Sequence, residues 1–205
     1  MQDTQNLFSQ NLEQWFNLNL QDGDVRIQQG FLSPGVSADL FFILYKETPW
    51  KTRQIELYGK TYDQPRLIAW YGNPEATYSY SGVMFQPLAW TETLLRVKQL
   101  VEIETRATFN SVLLNLYRNQ NDSISLHSDD EFGLNPTIAS LSLGESRKFV
   151  LKHKTEKRTV RFCLHSGDLL LMQGETQQHW KHGIDKSRKP CGARINLTFR
   201  LIEKG

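Results

Sequence analysis

From Ser111 onward the chain is a succession of short runs rich in Val, Leu, Ile and Phe, at 111–117, 123–128, 137–143, 147–152, 158–164, 168–172 and 192–201. Gly, Asn, Asp and Pro separate them. Runs this short, divided by turn formers, are too brief for helices and pair as antiparallel strands, which close into a jelly roll or related barrel. Two helices are predicted ahead of this region. Ser33 followed by Pro34 is a cap and a first-turn proline, and Val36, Leu40, Phe41 and Leu44 recur at helical spacing before Pro49 ends the run. A second helix is predicted over about Thr91 to Thr105, with Leu94, Val97 and Val101 on one stripe. Residues 53–86 hold further strand-like segments, dense in tyrosine. The expected class is α+β, with two helices buttressing a β-rich core.

A chain of 205 residues, 39% hydrophobic and 22% charged, is long enough to bury one substantial core. We read residues 1–30, rich in Gln, Asn and Asp, as an arm without chemistry of its own, and 31–205 as a single domain. A formal charge of +2 announces no nucleic-acid partner by itself, so the distribution of the basic residues must decide. The two cysteines, Cys163 and Cys191, form no CxxC pair, which argues against a disulfide scaffold or a structural zinc site and for a reducing, intracellular setting. Met1 to Gln10 has no basic cluster followed by an apolar run, and apolar stretches such as Phe41–Leu44 and Leu169–Met172 are far short of a membrane span. Neither secretion nor membrane insertion is expected.

Chemistry concentrates at His127, Ser128 and Asp129. In a strand, residues 127 and 129 point one way and residue 128 the other, so one segment offers an imidazole and a carboxylate to the same point. Asp130 and Glu131 follow, an acidic group that repels itself unless a cation or basic surface is near; the plain alternative is a solvated acidic turn. Two imidazoles and one carboxylate hold a non-haem Fe(II) on one face and leave the other open. The second imidazole is His179 or His182, in the run Gln177 to His182, and alternation allows His182 to face inward with Trp180.

Arg194, Ile195, Asn196, Leu197, Thr198, Phe199 and Arg200 alternate strictly between polar and apolar, the pattern of a strand with one apolar face. Both arginines share the other face with Asn196 and Thr198. Two guanidinium forks so placed bracket a small dicarboxylate, and Asn115 and Tyr117, on one face of an earlier strand, offer hydrogen bonds to the same anion.

These residues, together with Pro65-Arg66, Ala69-Trp70-Tyr71-Gly72, Thr77-Tyr78-Ser79-Tyr80-Ser81, Ile138 to Gly144, Ser166-Gly167-Asp168 and Trp180-x-His182, resemble the AlkB family of Fe(II)- and 2-oxoglutarate-dependent dioxygenases. The likeness runs from about Pro65 to Ile202, and it is nearest to the vertebrate homologues acting on DNA and RNA. It implies a double-stranded β-helix, a jelly-roll variant, with a nucleotide-recognition region at about 53–86 and a catalytic core at about 109–202. It implies His127, Asp129 and His182 as iron ligands, and Asn115, Tyr117, Arg194, Asn196 and Arg200 as the 2-oxoglutarate site.

The implied reaction uses O2 and 2-oxoglutarate to hydroxylate an N-methyl group on 1-methyladenine or 3-methylcytosine, releasing formaldehyde, succinate and CO2. The substrate is alkylated DNA, single- or double-stranded, or RNA, handled by a monomer in the cytoplasm of a bacterium or the nucleus of a eukaryote. Tyr78, Tyr80, His127, Asp130 and Arg66 match substrate contacts, and Tyr58, within Leu57 to Lys60, falls where duplex-acting members carry a wedge. Arg147, Lys148, Lys152, Lys154, Lys157, Arg158 and Arg161 crowd one hairpin, and Lys181, Lys186, Arg188 and Lys189 another, surfaces suited to phosphates. The competing readings are the same chemistry on a modified RNA base or another substrate, and a non-catalytic nucleic-acid-binding module.

Overall fold

The structure, a computed structural model, describes residues 15–57, 60–76, 78–80 and 83–203, and of 55–57, 60, 78–80 and 83–85 the backbone alone. The first half of the described chain contains β1 (Phe16–Asn17), β2 (Asp24–Gln28), α1 (Pro34–Glu47), β3 (Lys51–Leu57), β4 (Lys60–Gly72), β5 (Tyr78–Tyr80), β6 (Val83–Phe85) and α2 (Glu92–Thr105). The second half contains β7 (Ser111–Tyr117), β8 (Ile124–His127), β9 (Ile138–Gly144), β10 (Arg147–His153), β11 (Thr159–Leu164), β12 (Leu169–Gln173), α3 (Thr176–His179), β13 (Trp180–Ile184) and β14 (Arg194–Arg200).

Among the described residues, eight strands form a large sheet in the order β1-β2-β12-β9-β14-β7-β4-β3, and four form a smaller one in the order β11-β10-β13-β8. The ladders within both sheets are antiparallel, and the two sheets face each other as a jelly roll. Alternation divides the large sheet's side chains between two cores. Val112, Leu114 and Leu116 of β7, Ala139, Leu141 and Leu143 of β9, and Ile195, Leu197 and Phe199 of β14 join Leu40 and Leu44 of α1 and Leu94, Val97 and Val101 of α2. Each fully buried side chain of this kind contributes about 1.5–3 kcal/mol, so the helices clamp the back of the sheet firmly. On the front, Ile138, Leu170 and Met172 meet Phe149, Leu151, Trp180 and Ile184 of the small sheet.

Both helices begin as their caps dictate: Ser33 Oγ accepts from the Val36 N–H, Thr91 Oγ1 from that of Leu94, and α1 ends at Thr48, before Pro49. Two features depart from the sequence reading. Residues 24–28, expected in the arm, form a strand of the large sheet, pairing Asp24–Gln28 with Leu169–Gln173, with Val25 fully buried. The partner strand is over 140 positions away, so no local signal marks it. The segment around His182 is also a full strand that continues through Gly183 to Ile184, preceded by a single helical turn, α3.

Candidate metal centre and anion pocket

β14 sits between β9 and β7, and its polar face is buried up to Thr198, with Arg200 partly buried. Arg194, Asn196, Thr198 and Arg200 line a cavity of about 440 Å³ between the sheets, with Asn115 and Tyr117 of β7 beside them. Arg194 does not face solvent, being 1% exposed. Its Nη2 donates to Ser142 Oγ at 2.8 Å, and its guanidinium carbon lies 5.3 Å from the centre of the Tyr117 ring. Nε and Nη1 have no hydrogen-bond partner. Burial brings the Arg194 pKa down to about 10, still cationic at neutral pH. Asn196 Nδ2 is anchored by Ser140 Oγ at 2.7 Å, and the Thr198 hydroxyl donates to Asn196 Oδ1 at 2.9 Å. Arg66 donates through Nε to Asn115 Oδ1 at 2.8 Å. Part of the cavity lining is thus a rigid, cationic, hydrogen-bonding wall suited to an anion.

The same cavity is lined by His127, Asp129 and His182, whose ligand atoms lie within 4.8 Å of one another. Strand β8 ends at His127, which stands opposite His182 in the β8–β13 ladder with ring centres 4.4 Å apart. Past the strand end the alternation persists: Ser128 turns away to donate to Trp180 O at 2.9 Å, and Asp129 turns inward, 4% exposed. Its backbone N–H donates to Gln177 Oε1 at 3.0 Å, so α3 fixes the loop that presents the carboxylate.

The protonation states suit a metal. His127 Nδ1 faces the Ser125 carbonyl at 2.9 Å, which can only accept, so the proton sits on Nδ1 and the Nε2 lone pair points toward Asp129 Oδ1, 3.5 Å away. Burial lowers His182 to about 4, against the opposing pull of Asp129, and leaves it neutral at pH 7. For Asp129 burial pushes upward, but Arg200, His182 and His127 outweigh it and hold the carboxyl at about 2. Arg200 Nη2 grips Asp129 Oδ2 at 2.6 Å, whereas Arg200 Nε has no partner.

The residues place His182 in the triad and His179 outside it. His179 closes α3, and belongs to a second group, Asp22, His153 and His179. That group is a poor metal centre. His153 Nδ1 accepts the Glu156 N–H at 3.0 Å, so its proton is on Nε2, which faces Asp22 Oδ2 at 3.6 Å and has no lone pair to give.

The remaining predicted contacts are distributed unevenly. Asp130 stands next to the triad, more than half exposed, with Lys154 Nζ at 3.0 Å from its Oδ2. Tyr78 and Tyr80 lie on β5, placed by backbone alone, and Tyr58 falls outside the described residues. Arg147, grouped by sequence with the basic hairpin, is instead 3% exposed and donates to the carbonyls of Asn119, Asp122 and Asp185. Lys148, Lys152, Arg161 and Lys181 remain on the exposed outer side of the small sheet. Sequence reasoning missed Gln177, Ser140 and Ser142; the polar alternation of Ser140 and Ser142 within an apolar run was the available signal.

A family model described as the 2OG-Fe(II) oxygenase superfamily matches residues 24–200. The chain is 41% identical over 185 residues to the Bos taurus "Alpha-ketoglutarate-dependent dioxygenase alkB homolog 3", covering 84% of this chain and 64% of that protein. It is 42% identical over 171 residues to the Homo sapiens protein of the same description, covering 78% and 59%. To the Homo sapiens "DNA oxidative demethylase ALKBH2" it is 37% identical over 177 residues, covering 80% and 68%. It thus spans somewhat less than two thirds of the length of the alkB homolog 3 proteins it matches. Among solved structures, that of OsALKBH1 shares the fold, with a TM-score of 0.61 at 18% identity over 86% of this chain and 96% of that one. Among the described residues, no helix is long and apolar enough to cross a membrane.

Proposed function

The chain belongs to the AlkB family within the 2OG-Fe(II) oxygenase superfamily, and from that premise we propose that it oxidatively removes N-alkyl groups from nucleobases, repairing alkylated DNA. The observation that carries the reading is a His-Asp-His cluster lining the same cavity as a buried arginine with two unpartnered nitrogens.

The residues present fit the family's cofactors. His127 Nε2, Asp129 and His182 are a donor set for Fe(II), with Nδ1 of His127 occupied by the Ser125 carbonyl, His182 neutral and the carboxylate ionised at pH 7. Arg194 with Tyr117, and Arg200 with Asn115 and Asn196, would hold the two carboxylates of 2-oxoglutarate. When bound, iron with 2-oxoglutarate and O2 supplies an oxidant that hydroxylates an N-methyl carbon, leaving succinate and CO2, and the hydroxymethyl group then departs as formaldehyde.

The chain's own residues orient and select. Arg200 both neutralises Asp129 and fixes its Oδ2, leaving Oδ1 turned toward His127. Ser142 and Ser140 hold Arg194 and Asn196 in the rotamers that face the cavity. Asp130, steadied by Lys154, is placed to accept from the exocyclic amino group of a base such as 1-methyladenine or 3-methylcytosine and to favour its positive charge. Tyr78, Tyr80 and the exposed side of His127 would stack on that base, with Arg66 at the cavity wall and Tyr58 as the wedge in a duplex. The exposed lysines of the small sheet and the 185–190 segment suit phosphates.

Free Cys163 and Cys191 agree with an intracellular setting. The same reading has the chain acting as a monomer on DNA, single- or double-stranded, or on RNA. The test is formaldehyde release from 1-methyladenine and 3-methylcytosine in single-stranded DNA, duplex DNA and RNA, with Fe(II) and 2-oxoglutarate. Succinate formation without formaldehyde from any of them would move the substrate elsewhere.

A further inference from the structure

Among the described residues Phe132 is 94% exposed, against 67% for Ile103, the next most exposed large apolar side chain. A single exposed apolar residue is ordinary; one on an anchored turn whose neighbours line a cavity is not. Phe132 stands at the outer corner of a turn, with the Leu134 N–H donating to Glu131 O at 3.1 Å, and both Glu131 and Leu134 line the cavity. The turn is bolted to the C-terminal segment. Asn135 N–H donates to Leu201 O at 2.9 Å, Glu203 N–H to Gly133 O at 2.7 Å, and Asn135 Nδ2 to Glu203 Oε1 at 3.0 Å.

Gly133, at φ +80°, permits this geometry, since a Cβ there would meet Glu203 O at 2.9 Å. The backbone of the corner is therefore fixed beneath the ring. Lys51 and Arg53 of β3 line the same cavity, so one ligand can reach cationic side chains and the neighbouring aromatic ring.

This arrangement fits a strand of nucleic acid whose target base enters the cavity while phosphates meet the cationic side chains and an adjacent base meets the ring. We propose that Phe132 is a stacking platform for an unmodified base flanking the target, making it a specificity-determining residue that favours polymeric substrates. The proposal rests on the nucleobase reading above. A π face accepts any base, so the contact adds affinity without sequence choice, and alanine substitution at such platforms lowers affinity roughly 5- to 100-fold per base.

The experiment compares kcat/KM of the parent, Phe132→Ala, Phe132→Leu and Phe132→Trp on two methylated single-stranded oligonucleotides, one with normal flanking bases and one with abasic sites on both sides of the target. Binding of each oligonucleotide is measured in parallel by anisotropy, and thermal unfolding checks that each variant is folded. The alanine and leucine variants should lose roughly 5- to 100-fold on the normal oligonucleotide, with the tryptophan variant restored to the parent's level. On the abasic-flanked oligonucleotide the parent should fall to the level of the alanine variant, so the two defects do not add. Equal loss by the alanine variant on both oligonucleotides, or none on either while the parent turns over, overturns the platform and leaves the nucleobase reading standing. A parent inactive on every methylated oligonucleotide overturns both.

Discussion

Replacing Arg194 by methionine should raise the stability of the ligand-free protein while abolishing its response to 2-oxoglutarate. The guanidinium is 1% exposed, keeps two nitrogens without partners, and is brought by burial from its ordinary value of 12.5 to about 10. At about 1.4 kcal/mol per tenfold change, the charged form is disfavoured there by roughly 3 kcal/mol. Methionine is unbranched like the stem of arginine and has no charge to desolvate, but it leaves Ser142 Oγ without its donor and removes the cation from the Tyr117 ring, costs of roughly 1 kcal/mol each. A net gain of about 1 kcal/mol remains, or about 2–4 °C in Tm for a chain of this size. With 2-oxoglutarate at a hundredfold excess over its Kd the parent should gain about 2.7 kcal/mol, and the variant almost none. Scanning calorimetry without oxygen, with Fe(II) and with or without 2-oxoglutarate, should therefore show the two proteins exchanging order. A variant that melts well below the parent in the absence of 2-oxoglutarate and yet keeps the full ligand-induced rise would refute the reasoning.

Gly183→Ala should separate the two histidine strands, because a Cβ there would meet the Ile124 carbonyl oxygen at 2.7 Å and Leu126 N at 3.2 Å; we expect Co(II) titration to show metal affinity reduced by at least about tenfold, and unchanged affinity would contradict this. Gln177→Leu removes the acceptor that fixes the Asp129 N–H and should cost about 10- to 100-fold in the same titration, as loss of an outer support usually does. For pH, His182 is depressed from 6.5 to about 4 by burial, so the unfolded chain binds the extra proton first. Its contribution is complete above pH 6.5 and is lost as pH falls toward 4, by up to about 3 kcal/mol. Urea unfolding of the metal-free protein should show this decline, with a shallower slope for His182→Gln; identical slopes would discount His182 as its source.

What could be read from the sequence was what is set locally. The start of α1 follows from Ser33 and Pro34, β7 from a short apolar run bounded by turn formers, and β14 from alternation over seven residues. The His127-x-Asp129 spacing likewise needs only the pleat of one strand. The choice between His179 and His182 was not local, because it depends on which residue of β13 stands opposite His127 across a ladder. The same limit hid β2, whose partner is β12, and the burial of Arg147, whose three carbonyl acceptors come from two distant loops. Gln177 was invisible for a related reason: its value lies in reaching the Asp129 amide from a one-turn helix that no periodicity announces.

The placement of the site on β14 explains why a buried guanidinium with no counter-ion among the described residues is tolerated. Successive residues of that strand serve opposite ends: Ile195, Leu197 and Phe199 are fully buried against the helices, while Arg194, Asn196 and Arg200 face the cavity. Each apolar side chain so buried stabilises the fold by about 1.5–3 kcal/mol, enough to offset the desolvation of the arginine beside it. Because the strand is hydrogen-bonded on both edges, to β7 and β9, the arginines have no backbone freedom with which to seek other partners. A relaxed Arg194 would satisfy its nitrogens on nearby carbonyls and would then have to break those bonds to accept a carboxylate. The core behind β14 thus holds the cavity in a state that is unfavourable by itself and ready for an anion, which is the physical meaning of a preorganised site.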